Sequence, residues 1–203
     1  MSINLQKGQR INLEKSNGIK LQDICVGVNW GAIEKKGWLG SSSKEAVDLD
    51  ASCALFDQNK NPLEIIYFGN LQSKDRSVKH SGDDLTGDMD GDDGLDNEII
   101  TLDFSKLNPT VEYVAFVLNS FRGHDFGTIP FASIRIYEGS SKKVDNVYAT
   151  YNIAKESEFS GYVSMVMGVF YKRNNEWKFN AIGEPTKDRK LEETIRTVQQ
   201  NYL

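Results

Sequence analysis

Short apolar runs separated by turn residues fill most of this chain, and that rhythm leaves room for little but stacked β-sheets. The runs Asp23–Trp30, Val47–Phe56, Leu63–Phe68, Glu98–Phe104 and Val111–Leu118 are rich in β-branched and aromatic residues. Ala132–Tyr137, Val147–Ile153, Tyr162–Tyr171 and Trp177–Ile182 continue the series. Apolar residues take every second place in Trp177-Lys-Phe-Asn-Ala181 and Ile134-Arg-Ile136, the period of a half-buried strand. Between the runs stand turn signals at Asn17-Gly18, Asn59-Lys-Asn-Pro62, Asn108-Pro109 and Asn174-Asn175. The last lies between two alternating runs and predicts a tight hairpin. No helix-length pattern separates the strands, so the expected class is all-β, a sandwich or barrel. Only the end departs from this: between Thr186 and Leu203, Leu191, Ile195, Val198 and Tyr202 recur at helical spacing. The spacing predicts a C-terminal amphipathic helix over 186–203, docked on a sandwich domain over 1–185.

With 203 residues, 39% hydrophobic and 26% charged, the chain has the make-up of a soluble globular domain with a real core. The opening Met1–Arg10 has no apolar signal region. The longest apolar stretch, Val163–Tyr171, is broken by Ser164 and Gly168 and is too short to span a bilayer. Cys25 and Cys53 sit apart in strand-like runs and read as two buried thiols rather than a disulfide framework. A cytoplasmic location is the expectation.

The charge is unevenly placed. Eight of the 29 acidic residues lie between Gly82 and Glu98, a window with no Lys or Arg; the other 21 face 24 bases. The negative balance therefore resides in one loop. No basic stripe interleaved with aromatics appears, which argues against nucleic-acid binding.

That loop is Gly82-Asp-Asp-Leu-Thr-Gly-Asp-Met-Asp-Gly-Asp-Asp-Gly-Leu-Asp-Asn-Glu98. Its glycines permit tight, left-handed turns that can aim several carboxylates at one point. Carboxylates held so close repel unless protons or a cation neutralise them. Hard oxygen ligands in a flexible loop suit calcium, which takes about six to eight oxygens. Magnesium needs fewer carboxylates, and metals that prefer Cys or His find neither there. A solvated acidic loop that binds nothing is the competing reading. Two features favour the metal. Asp88, Asp90 and Asp92 alternate as ligands do, although the spacing is not that of an EF-hand. In Asp48-Leu-Asp50, strand alternation puts Leu49 in the core and both aspartates on the opposite face.

The run from Tyr67-Phe-Gly-Asn through Gly87-Asp-Met-Asp-Gly-Asp-Asp93 resembles the signature of the TerD family of tellurium-resistance and stress proteins. Val26-Gly-Val-Asn-Trp30, Val47-Asp-Leu-Asp-Ala-Ser52, His124-Asp-Phe-Gly127 with Ile134-Arg-Ile136, and Gly168–Gly183 extend the similarity along nearly the whole chain. The resemblance implies a C2-like calcium-binding β-sandwich holding about two ions at one end. It further implies ligands from Asp48, Asp50, Asp83, Asp88, Asp90, Asp92, Asp93 and Glu98, with Thr86 adding its carbonyl or hydroxyl. This chain departs from the pattern where Gly94-Leu-Asp-Asn97 intervenes before Glu98, and where Asp84 takes a place commonly held by Asn.

The remaining chemistry is sparse. His80 and His124, the two histidines, show no metal or catalytic spacing, and neither a nucleophile elbow nor a phosphate loop of Walker type occurs. Trp38, beside Gly37 in a Ser-rich loop, is the tryptophan expected to be exposed to a partner. Three functions follow in order. The first is a non-catalytic calcium-binding module of the stress response, associated with tellurite resistance and acting with other stress-response proteins. The second is a divalent-metal phosphohydrolase, for which Lys74, Arg76 and Lys79 would have to fold back on the loop. The third is an interaction protein whose calcium is purely structural. Peripheral contact with a membrane through calcium stays open as well.

Overall fold

A computed structural model of the chain describes residues 3–4, 9–12, 22–36, 41–152 and 157–203. The strands are β1 (Ile3–Asn4), β2 (Arg10–Asn12), β3 (Asp23–Trp30), β4 (Ile33–Lys36), β5 (Ser42–Glu45), β6 (Leu49–Phe56) and β7 (Pro62–Ile66). They continue as β8 (Val78–His80), β9 (Glu98–Asp103), β10 (Tyr113–Ser120), β11 (Ala132–Ser140), β12 (Lys143–Asn152), β13 (Ser164–Arg173) and β14 (Glu176–Thr186). One helix, α1 (Leu191–Asn201), closes the chain.

Two six-stranded sheets carry the fold, one ordered β1-β12-β11-β3-β9-β8 and the other β2-β14-β13-β10-β6-β7. The pair β4–β5 forms a separate hairpin. Val26, Val28 and Trp30 of β3 share a single buried cluster with Leu49, Ala51, Cys53 and Leu55 of β6 and with Val114, Phe116 and Leu118 of β10. The two inner faces therefore pack on one another as a sandwich, with period-2 alternation selecting the inward residues. Strand β6 is buried along its whole length, and the helix covers the end of its other face. There Ala54 and Phe56 meet Ala115, Val117, Val166 and Val169, under Ile195 and Val198 of the helix. The expected all-β sandwich with a docked amphipathic helix is what the chain adopts.

The Asn174-Asn175 hairpin forms as expected. Both residues are left-handed (φ 54° and 61°), and Arg173 pairs with Glu176 across a two-residue turn. Several boundaries differ from expectation. Strand β14 runs on to Thr186, so the helix begins only at Leu191. Ser42 and Ser43, expected in a loop, pair with Lys36 and Lys35 as strand β5. Trp38, Asn17-Gly18 and Ile153 lie outside the described residues. Both cysteines are free and buried, as expected. No helix among the described residues is long and apolar enough to cross a membrane.

Candidate metal centre

The acidic segment lies along the outer face of β3, and β3 is built to receive it. Alternation sends Val26, Val28 and Trp30 inward, which leaves Gly27 and Asn29 facing the loop. At Gly27 a Cβ would stand 2.0 Å from Asp96 Oδ2, so only glycine admits that carboxylate. At Asn29 the side-chain amide donates to Asp92 Oδ1 (2.9 Å). One step past the strand, Gly31 bridges to Asp88, whose N–H donates to the Trp30 carbonyl (2.9 Å). Gly87 (φ 64°) passes so close to the Trp30 ring that a Cβ there would meet Cδ1 at 2.5 Å. Gly82, Gly91 and Gly94 also have positive φ, at 121°, 105° and 79°, the turns that their lack of a side chain permits.

This route gathers carboxylates into two groups. In the first, one oxygen from each of Asp48, Asp50 and Asp83 lies within 4.8 Å of the others. Asp48 and Asp50 flank Leu49, which is fully buried in the core, so the expected alternation holds. They are not solvent-facing, however, at 2% and 6% exposure, because the segments after β8 and β10 close over them. Arg122 Nε reaches Asp48 Oδ2 at 3.3 Å, and Asp48 Oδ1 is buried with no partner among the described residues. The second group joins Asp88, Asp92 and Asp93 within the same limit, nearer the surface. The buried Asn29 Oδ1, on the residue that holds Asp92, likewise has no partner among the described residues.

Three expected ligands stand outside both groups. The Asp90 side chain is 99% exposed and paired with Lys44 (2.9 Å). The Thr86 carbonyl accepts from the Val47 N–H (3.2 Å), and its hydroxyl donates to Asp84. Glu98 is fully buried as a strut between the sheets: its carboxylate accepts from the Ala51 N–H at 2.8 Å and the Asp84 N–H at 3.3 Å. The Ala51 backbone is free to pair this way because β7 accompanies β6 no further than Cys53. His80 completes the strut. The Gly82 N–H donates to its Nδ1 (3.1 Å), which puts the ring proton on Nε2, donating to the Ala51 carbonyl at 3.0 Å. His80 thus serves loop structure, and His124 stands elsewhere, beside Glu45.

The electrostatics follow from burial. The Asp50 carboxyl is pushed up to about 7 by desolvation, then by the charges of Glu98, Asp48 and Asp83. Burial also raises Asp48, against the pull of Arg122. Asp84 goes the other way: burial is outweighed by donors from Thr86, Gly87 and Asn97. Asn97 is a residue the sequence reading missed, since it accepts from the Trp30 N–H and donates to Asp88 Oδ1, tying the loop to the strand. Asn29 and Arg122 were missed as well. For Asn29 a signal existed: it is a polar residue on the outward register of a strand whose other residues after Asp23 are apolar or glycine. Among the described residues, the cations ion-paired with these carboxylates are Lys44, Arg122 and Arg135, with Asp90, Asp48 and Asp96 respectively. They are not the Lys74, Arg76 and Lys79 considered for a phosphate site.

Two triads of hard oxygen donors, one with an unpartnered buried carboxylate oxygen, suit a divalent oxygen-seeking cation. The donor set contains no thiolate or imidazole.

Comparison with known proteins gives one direction. The profile of the TerD domain matches residues 1–197. The chain is 33% identical to the tellurium resistance protein TerZ of Serratia marcescens over 94% of each protein. It is 35% identical to the stress response protein SCP2 of Bacillus subtilis, over 96% of this chain and 98% of that one. Its fold is similar to the crystal structure of a homologue of telluride resistance protein (TerD) from Streptomyces coelicolor. That match has a TM-score of 0.65 at 15% identity, covering 83% of this chain and 92% of the other.

Proposed function

The chain belongs to the TerD domain family, and from that premise we propose that it is a calcium-binding, non-catalytic module of the stress response, associated with resistance to tellurite. The observation that carries the calcium reading is the Asp48–Asp50–Asp83 group with its orphaned Asp48 oxygen. A buried carboxylate with an unsatisfied oxygen, beside two more carboxylates, is costly unless a cation completes it. Asp48, Asp50 and Asp83 hold one ion; Asp88, Asp92 and Asp93, with Asn29 beside them, hold a second. Calcium supplies the positive charge that lets these carboxylates stay ionised together. The non-catalytic reading rests on the neighbouring cations, which are already paired with carboxylates and not set out to receive a phosphate. The module acts in the cytoplasm with other stress-response proteins.

Calorimetric titration of chelator-stripped protein with calcium, then magnesium, tests this. Saturable calcium binding at about two sites is expected, poorly reproduced by magnesium. Asp48→Asn should remove one site and Asp92→Asn the other, whereas Asp90→Asn, far exposed, should leave both. Absence of calcium heat, or equal loss in all three variants, returns the loop to a merely solvated acidic segment.

A further inference from the structure

A second site lies where α1 stops short of covering its sheet. The outer face of β6 carries Asp50, Ser52, Ala54 and Phe56 in register, and the helix covers only the last two. Over Asp50 and Ser52 there remains a cavity of about 350 Å³. This lies within the range of roughly 300–1,000 Å³ typical of small-ligand pockets. Its lining falls into three tiers.

The floor is polar and unsatisfied. Ser52 Oγ, Asn119 Oδ1 and Ser120 Oγ lack hydrogen-bond partners among the described residues, although the three residues are only 1%, 7% and 4% exposed. The Asn119 amide is oriented: its Nδ2 donates to Ser164 Oγ (2.8 Å) and Thr194 Oγ1 (3.0 Å), which leaves Oδ1 as an acceptor. Buried polar groups without partners are rare in folded proteins, and three on one floor point to a ligand that satisfies them. The walls are aromatic. Phe68 stacks edge-on between Tyr67 (5.2 Å) and Phe121 (5.8 Å), and Phe121 is 67% exposed. The rim is the start of α1, with Arg189, Lys190 and Glu192. The helix begins at Leu191 after an N-cap, Lys190, that makes no side-chain bond. Glu192 and Glu193 stand in its first turn, and Glu193 accepts from the Arg189 N–H (2.9 Å). The positive charge offered at the rim is therefore that of the Arg189 and Lys190 side chains.

Each tier selects one chemistry. Acceptors and hydroxyls on the floor take hydroxyl donors; aromatic walls take the C–H faces of a ring; the side chains of Arg189 and Lys190 at the rim take an anionic group. We propose that this pocket binds a small hydroxylated ring compound bearing an anionic group, of the sugar-phosphate class. The inference goes beyond the calcium reading and does not require it, although Asp50 borders both sites.

The test is NMR titration of the ¹⁵N-labelled full chain, in calcium and again in chelator, with glucose 6-phosphate and ribose 5-phosphate. Glucose and inorganic phosphate serve as separate controls. The expected result is saturable movement of the Ser52, Asn119, Phe121 and Leu191 amide resonances by at least one sugar phosphate, with Kd below about 1 mM. Each control should bind more weakly than the combined molecule. Phe121→Ala and Arg189→Glu, both at exposed positions where folding is not at stake, should each weaken binding by about tenfold. The proposal is overturned if neither sugar phosphate binds, if inorganic phosphate alone binds as well, or if both variants bind normally.

Discussion

At the scale of single residues, Asp50 is the most informative. Its carboxyl, raised from 3.8 to about 7, stays protonated in the folded chain over a pH range where the unfolded chain has already released that proton. The folded state binds more protons in that window, so this group's contribution to stability falls as pH rises from 3.8 to about 7. Thermal unfolding in chelator across this range should show that slope, and Asp50→Asn should flatten it; identical slopes would remove Asp50 as its source. Calcium binding should have the opposite trend, weakening by up to about tenfold per unit below the Asp50 pKa as protons compete for the ligand. Asp48 and Asp50 were legible from the sequence because Leu49 between them had to face the core. Asp90 was not legible: Asp88, Asp90 and Asp92 alternate alike in sequence, and only the path over Trp30 turns Asp90 out towards Lys44. Glu98 ends as a strut because β7 stops early, a fact about strand partners that no local pattern carries.

At the scale of elements, the nine longer strands were readable because their runs are rich in β-branched and aromatic residues, and most of them bury a face. The strands that escaped, β1, β2, β4, β5 and β8, run from two to four residues. At that length the period has no room to show, and pairing partners decide the conformation. The helix start was misplaced because Pro185 and Thr186 are held as strand by pairing with Met165 and Ser164. The β13–β14 hairpin was read correctly, and it offers a clean test of turn chemistry. Two consecutive left-handed residues form the turn that Asn-Gly fits better than Asn-Asn. Asn175→Gly should therefore raise stability by up to about 1 kcal/mol in denaturant unfolding, the steric relief at φ 61° outweighing glycine's greater freedom when unfolded. A loss of stability would mean that the Asn175 side chain, not its backbone, sustains the turn.

At the scale of the whole molecule, the fold brings the two sides of the sandwich to one point. Asp48 and Asp50 belong to the sheet of β6 and β10, whereas Asp83 lies between β8 and β9 of the opposite sheet. Glu98 and His80 span the same gap through the Ala51 backbone. A cation seated among Asp48, Asp50 and Asp83 is therefore a rivet between layers as much as a ligand in a loop. At a hundredfold excess over its Kd, one such ion adds about 2.7 kcal/mol to the folded state. Where that energy appears in time depends on when the layers meet. The contacts joining them are distant in sequence, and such contacts form late in folding. Calcium should then leave the refolding rate almost unchanged and slow unfolding by about the whole equilibrium effect, roughly a hundredfold. Stopped-flow refolding and unfolding with and without chelator would show it; acceleration of refolding instead would mean that the rivet is set before the sheets close. A protein riveted in this way would come apart slowly while calcium lasts and quickly once it is withdrawn, so its persistence in a cell would be timed by the ion.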